Sequence, residues 1–392
     1  MYAPRPFLTM FVLAALALTA ASVAFGQTTV TGKVRDGVQR ITLLPPGPGN
    51  PRNSESDMIR LKDGRLLLIY THFTGGAGDH ATAHLAGRIS NDAGQSWTAE
   101  DQLILPNEGG QNIMSVSLLR LADGRIALFY LRKNSPEDCR PVMRTSDDEA
   151  QTWSEPIEVI PAKQLGSYVL NNDRAVQLKS GRLILPLAQH NGLGWKGWTS
   201  FGRILCYYSD DNGKSWRRGE TAPAPDDVDG KQVRTQEPGV IALKNNDLLL
   251  WCRTDAGSQY IATSTDSGVH WSQLQPSKLL SPLSPATIEP IPTTGHWLLV
   301  WNDHRGIAAE LKDKRTPLRA AISTDEGKSW SSPLTLEDNP HGWYCYTAMD
   351  IVDGAVVLAH CAGDRRATNG LALTQVTRFP VRQLYTAGPE QP

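Results

Sequence analysis

The sequence predicts an all-β chain folded as a six-bladed β-propeller with five Asp-box turns. Two positive observations and one absence carry that expectation. The pattern Ser-x-Asp-x-Gly-x-x-Trp starts at Ser90, Ser146, Ser209, Ser264 and Ser323, at spacings of 56, 63, 55 and 59 residues. Six strand-turn-strand units are interleaved with it. No stretch shows a helical period longer than a few turns. A fixed element recurring at this period is the mark of a repeat architecture.

Each copy of the pattern has a local logic. Asp92, Asp148, Asp211, Asp266 and Asp325 can accept hydrogen bonds from backbone N–H groups a few residues on, which closes a turn. Gly94, Gly213, Gly268 and Gly327 supply a position where φ can be positive, and Ala150 holds that slot in the second copy, so that turn is strained or differently shaped. The closing Trp97, Trp153, Trp216, Trp271 and Trp330 are large enough to pack between neighbouring units. The pattern is structural and carries no chemistry.

The six units run Met58–Tyr70, Leu118–Tyr130, Ala175–Ala188, Val240–Cys252, Thr287–Asn302 and Met349–Cys361. Asp-Gly and Ser-Gly between apolar runs are hairpin signals. The sixth unit continues through Leu371 to Phe379. Val38–Leu44 supplies a strand that closes the ring against it and removes an exposed edge. One domain is expected over about residues 30–385.

The N-terminus reads as a secretory signal over residues 1–26. Arg5 gives a positive start, Phe7 to Phe25 is mostly apolar, and Ala24-Phe25-Gly26 resembles a cleavage site. The expected location is secreted or periplasmic, with no membrane span after cleavage. A formal net charge of −1 implies neither a nucleic-acid partner nor an anionic membrane surface. The five cysteines, Cys139, Cys206, Cys252, Cys345 and Cys361, form no CxxC pair. His80 and His304 are not placed like metal ligands, so no metal and no cofactor is expected. An odd cysteine count leaves at least one free thiol.

Six blades with these turns resemble the sialidase (neuraminidase) superfamily over about residues 40 to 380. Arg52-Asn-Ser-Glu-Ser-Asp57 and Asn171-Asn-Asp-Arg174 look like bacterial exported sialidase-like proteins with BNR repeats. The resemblance implies an exo-glycosidase, sialidase-like and retaining, acting on a glycan or glycoconjugate through an Asp acid/base, a Tyr nucleophile partnered by a Glu, and three carboxylate-clamping arginines. On that basis Asp79 matches the acid/base, Glu237 the activating carboxylate and Tyr346 the nucleophile. Arg253 and Arg315 match the second and third clamp arginines. Arginine suits a clamp because it stays charged and grips a carboxylate bidentately. A phenol approaching an anionic sugar avoids the repulsion that a carboxylate nucleophile would meet.

Two departures stand out. Glu55 falls at about the position of the first clamp arginine. The blade-six stretch Ala359-His360-Cys361-Ala362 lacks the carboxylate that steadies it. Arg52 or Arg174 is then the substitute binding residue. Trp195 and Trp198 are candidates to stack on a sugar ring. Two other functions remain open: a propeller glycosidase for a non-sialic terminal sugar, with Glu55 among its working carboxylates, and a non-catalytic propeller that binds glycan or protein.

Overall fold

The computed structural model describes residues 28–367 and 369–386. The expected signal, residues 1–26, lies outside the described residues. Six antiparallel sheets form a β-propeller. From the axis outward, blade 1 comprises Arg52–Arg60, Leu66–Phe73, Ala83–Ser90 and Gln102–Leu105. Blade 2 follows with Asn112–Arg120, Ile126–Ser135, Asp138–Ser146 and Ile157–Glu158. Blade 4 has Thr235–Ala242, Leu248–Thr254, Ser258–Ser264 and Gln275–Leu280. Blade 5 has Thr287–Pro290, Trp297–Asn302, Leu318–Ser323 and Leu334–Glu337.

Blade 3 differs on its inner side. Its first strand is broken into Tyr168–Val169 and Val176–Gln177, both paired with Leu183–Gln189. Blade 6 is built from Gly342–Val352, Ala355–Asp364 and Thr374–Pro380, and takes its next strand, Val38–Leu44, from the other end of the chain. Ile41 lies opposite Val376 in that pairing. The ring therefore closes through sheet hydrogen bonds, as the sequence predicts.

Each blade interface buries its own apolar cluster. Blades 6 and 1 share one containing Ile41, Val357, Leu66 and Trp97. Blades 4 and 5 share another containing Trp251, Trp297, Leu299 and Trp301. No helix among the described residues is long and apolar enough to cross a membrane.

The Asp turns hold as their sequence implies. Asp211 accepts hydrogen bonds from the Ser209 hydroxyl (2.8 Å), the Ser215 amide (2.9 Å) and the Ser215 hydroxyl (2.6 Å). The Ser209 oxygen in turn accepts from the Gly213 amide at 2.9 Å. Ala150 takes a left-handed backbone at φ 66 and keeps the same bond to Ser146, so the second turn has the common shape at a steric cost. A Cβ at Gly94 would approach Val357 of blade 6 to 3.0 Å, so that slot also sets how closely two blades pack.

Hydrogen bonds from Ser215 and then Ser209 hold the Asp211 carboxyl down to about 2. Its contribution to stability is therefore complete above the ordinary carboxyl value of about 4 and is lost as pH falls towards 2. Asp211→Ala is expected to lower unfolding free energy by about 1–2 kcal/mol at pH 7, and by much less near pH 2, in urea titrations at the two pH values.

Candidate active site

A regular strand sends alternate side chains to opposite faces, so it presents few of them to the axis. The inner strands here break that rule at matching points. Glu55 (φ 55), Ser115 (φ 61), Glu237 (φ 49) and Tyr346 (φ 55) all adopt left-handed backbone. Each sits where pairing with the neighbouring strand slips, between Ser54 and Asp57, opposite Phe129 to Leu131, between Gln236 and Gly239, and between Cys345 and Ala348. These are β-bulges that turn one side chain out of the ladder. All four line one cavity of about 520 Å³, as do Asp79 and Arg253. Asp173 (φ 57) is the equivalent residue in the broken strand of blade 3. Its carboxylate accepts the Met349 amide at 3.1 Å, and Asn171 lines the cavity instead.

On one side stand the residues of blades 4 and 6. The Tyr346 hydroxyl donates to Glu237 Oε1 at 3.2 Å, joining residues 109 positions apart. Arg253 lies 2.7 Å from Glu237 Oε2 as an ion pair, although the angle is too poor for a hydrogen bond. It donates to Tyr346 Oη at 3.4 Å and to Gln236 Oε1 at 2.7 Å. Burial and then the charge of Glu237 push the Tyr346 phenol well above its ordinary value, against the pull of Arg253 and Arg315. The phenol therefore keeps its proton, and the adjacent carboxylate is placed to receive it. The Arg315 guanidinium lies 5.3 Å from the Tyr346 ring and 5.1 Å from that of Trp343. Its Nε and Nη1 are buried without a hydrogen-bond partner among the described residues, and it does not line the cavity.

Blades 1 and 2 form the other side. Arg52 is fully buried, donates to Glu55 Oε1 at 3.0 Å and to Asp79 Oδ1 at 2.5 Å, and packs over Phe73. Glu55 Oε2 accepts the Ser115 hydroxyl at 2.6 Å. One arginine thus serves two carboxylates in unlike settings. Burial raises the pKa of Glu55 against the pull of Arg52. Asp79, 60% exposed at its side chain, is also raised by burial, but the charge and hydrogen bond of Arg52 outweigh this and lower it. Lys133 Nζ and Asn112 Nδ2 each donate to the Asp79 carbonyl at 3.0 Å, which fixes the loop that carries it.

The structure does not bring Arg174 to the cavity. Its guanidinium donates to Ala286 O at 2.8 Å and lies near the Trp251 ring, deep between blades. Trp195 stacks on Arg203, also away from the site. Trp198 does line the cavity, 56% exposed, against the His190 ring at 5.2 Å. Burial drives His190 down to about 4, so its imidazole is neutral. All five cysteines are free and buried. Cys345 lies opposite Cys361 behind the Tyr346 bulge.

Sequence reasoning missed Ser115, His190, Gln236 and Lys133. A signal for Ser115 was present. Glu55, Ser115, Glu237 and Tyr346 each lie three residues before an inner-strand apolar residue, Met58, Leu118, Val240 and Met349.

Fold and site together define a six-bladed propeller of the sialidase-like superfamily. The chain belongs to the family of BNR repeat-like domains, whose profile matches residues 88–358. It is 25% identical to a sialidase of Paraclostridium sordellii over 246 residues, which covers 55% of this chain and 56% of that protein. It is 22% identical to an anhydrosialidase of Macrobdella decora over 381 residues, covering 86% and 47% respectively. A solved leech intramolecular trans-sialidase superposes with a TM-score of 0.65 at 16% identity, over 87% of this chain and 70% of that one. The chain spans about half the length of the curated relatives it matches.

Removing Arg52 would leave Glu55 buried beside Asp79 without a counter-charge. Arg52→Met is expected to destabilise the fold by about 3–5 kcal/mol, measured by urea unfolding at pH 7. The loss shrinks at acid pH, where both carboxyls take up protons.

Proposed function

We propose that this chain is an exo-acting glycosidase that cleaves a terminal sugar with retention of configuration through a tyrosyl intermediate. The observation that carries this reading is the Tyr346–Glu237 hydrogen bond inside a cavity that also holds Asp79. A propeller that only binds glycan has no need of a buried phenol aimed at a buried carboxylate. The resemblance to sialidases supports the same reaction class.

In this mechanism Tyr346 Oη attacks the anomeric carbon while its proton passes to Glu237. Asp79 gives a proton to the departing glycosidic oxygen. Water then attacks the glycosyl-tyrosine, Asp79 takes its proton, and the phenol leaves with the proton from Glu237. Arg253 holds Glu237 in place and disperses the charge that shifts along the pair. The apolar start of the chain supports export of the enzyme to the periplasm or medium.

The test uses the purified chain and a panel of aryl and natural glycosides. Tyr346→Phe is expected to lower kcat by at least about 10³-fold. Asp79→Asn is expected to lower it by about 10²–10⁴-fold on substrates with poor leaving groups, and much less on activated aryl glycosides. Because Arg52 lowers the Asp79 pKa, turnover of poor leaving groups should rise as pH falls and more of Asp79 is protonated. A fluorinated glycoside should label the Tyr346 peptide, read by mass spectrometry. An unlabelled Tyr346, or full activity in Tyr346→Phe, would sink the mechanism.

A further inference from the structure

We propose that the sugar bound in this cavity is a neutral, hydroxyl-rich glycoside, and that the Glu55–Ser115 pair selects it by accepting its hydroxyls and repelling a carboxylate. This rests on the glycosidase reading and names the substrate class of the same site; with a neutral sugar, Tyr346 stands on its hydrogen bond to Glu237 and not on the avoidance of a sugar carboxylate. The argument starts from charge. Three carboxylates line the cavity, Glu55, Asp79 and Glu237, against two cations, Lys133 and Arg253. Two of the arginines at hand are already engaged. Arg52 is divided between Glu55 and Asp79, and Arg253 lies against Glu237 and Gln236. Arg315 packs over the Trp343 and Tyr346 rings with its Nε and Nη1 buried and unpartnered among the described residues, but it does not line the cavity. An incoming carboxylate could gain Arg52 or Arg253 only by breaking an internal ion pair, would find Lys133 donating to the Asp79 carbonyl, and on the blade-1 side would meet Glu55 directly. Like charges brought together in a part-desolvated cavity repel strongly.

A hydroxyl-rich ring meets the opposite situation. Glu55 is 6% exposed and, among the described residues, accepts from two donors, Arg52 at 3.0 Å and Ser115 at 2.6 Å. A carboxylate has about four acceptor positions, so lone pairs remain for sugar hydroxyls. Both Glu55 and Ser115 stand on left-handed bulges that aim them at the cavity, so the pair is built in place before any ligand arrives. A site built for hydroxyls rejects ligands that leave it unpaired.

Binding separates this proposal from the mechanism. In a Tyr346→Phe background, calorimetry would compare methyl glycosides of neutral hexoses and 6-deoxyhexoses with methyl N-acetylneuraminide. A neutral glycoside is expected to bind at least about tenfold more tightly than the sialoside. Adding Glu55→Gln should weaken that neutral glycoside by roughly tenfold, and adding Ser115→Ala should weaken it several-fold. A thermal melt checks that each variant folds. If Glu55→Gln does not, the Ser115→Ala comparison carries the test. Tighter binding of the sialoside, no binding of any neutral glycoside, or affinities unmoved by these substitutions would each overturn the proposal. A neutral glycoside that binds but is not hydrolysed by the unaltered enzyme would strike the mechanism and leave this assignment standing. Sialoside hydrolysis through Tyr346 with tighter sialoside binding would do the reverse.

Discussion

The left-handed bulge in the inner strands is the constraint on which this molecule depends. A pleated strand fixes where its side chains point, and around a propeller axis that leaves little freedom to gather a site. Four inner strands escape by inserting one residue at positive φ, at Glu55, Ser115, Glu237 and Tyr346. A non-glycine residue in that region costs about 1–2 kcal/mol. Glycine would remove the cost but also the functional side chain. Such strain persists only where the surroundings over-determine it, and here sheet pairing resumes on both sides of each bulge.

Much of the fold was legible because its signals are local. The five turns depend on residues within eight positions of each other, and the six hairpins on one or two turn residues each. Val38–Leu44 was readable as the closing strand because a ring needs a partner for its last sheet. The broken inner strand of blade 3 was less readable. Its polar run Asn171-Asn172-Asp173-Arg174 suggested a site, and only coordinates show Arg174 turned towards Ala286. The joining of Tyr346 to Glu237 followed from the propeller together with the resemblance. The pairing of Arg52 with Glu55 and Asp79 did not, because a strand sequence does not say which charges meet across a bulge.

That pairing also changes how the cavity is understood. Glu55 appeared in the sequence as the loss of an arginine. In the structure it is one member of a connected set, Arg52, Glu55, Asp79 and Ser115, in which the arginine is retained but occupied. A buried ion pair adds little net stability by itself, yet loss of one partner is costly. The set therefore behaves as a unit: Arg52 keeps two acids close together, and the two acids keep Arg52 away from ligand. The carboxylate missing from blade six has no vacancy to fill, because Arg52 is already steadied by Glu55 and Asp79.

Antiparallel topology then separates the Asp turns from the site. Arg52 pairs with Phe73 at one end of blade 1, and Leu66 pairs with both Arg60 and Ser90 at the other. The bulge at Glu55 and the loop carrying Asp79 lie at the first end, and the Asp turn that starts at Ser90 lies at the second. The same alternation holds in blade 4, where Thr235 meets Thr254 near Glu237 and Leu248 meets both Ala242 and Ser264. One end of the barrel-like ring thus carries tight, hydrogen-bonded turns locked against the neighbouring blade, while the other carries bulges, exposed loops and charges held in unfavourable company. Left-handed residues stand at both ends, Ala93, Ala150, Asn212, Ser267 and Glu326 in the turns and four at the bulges; side-chain hydrogen bonds of the Asp turn hold the first set, and sheet pairing on either side holds the second.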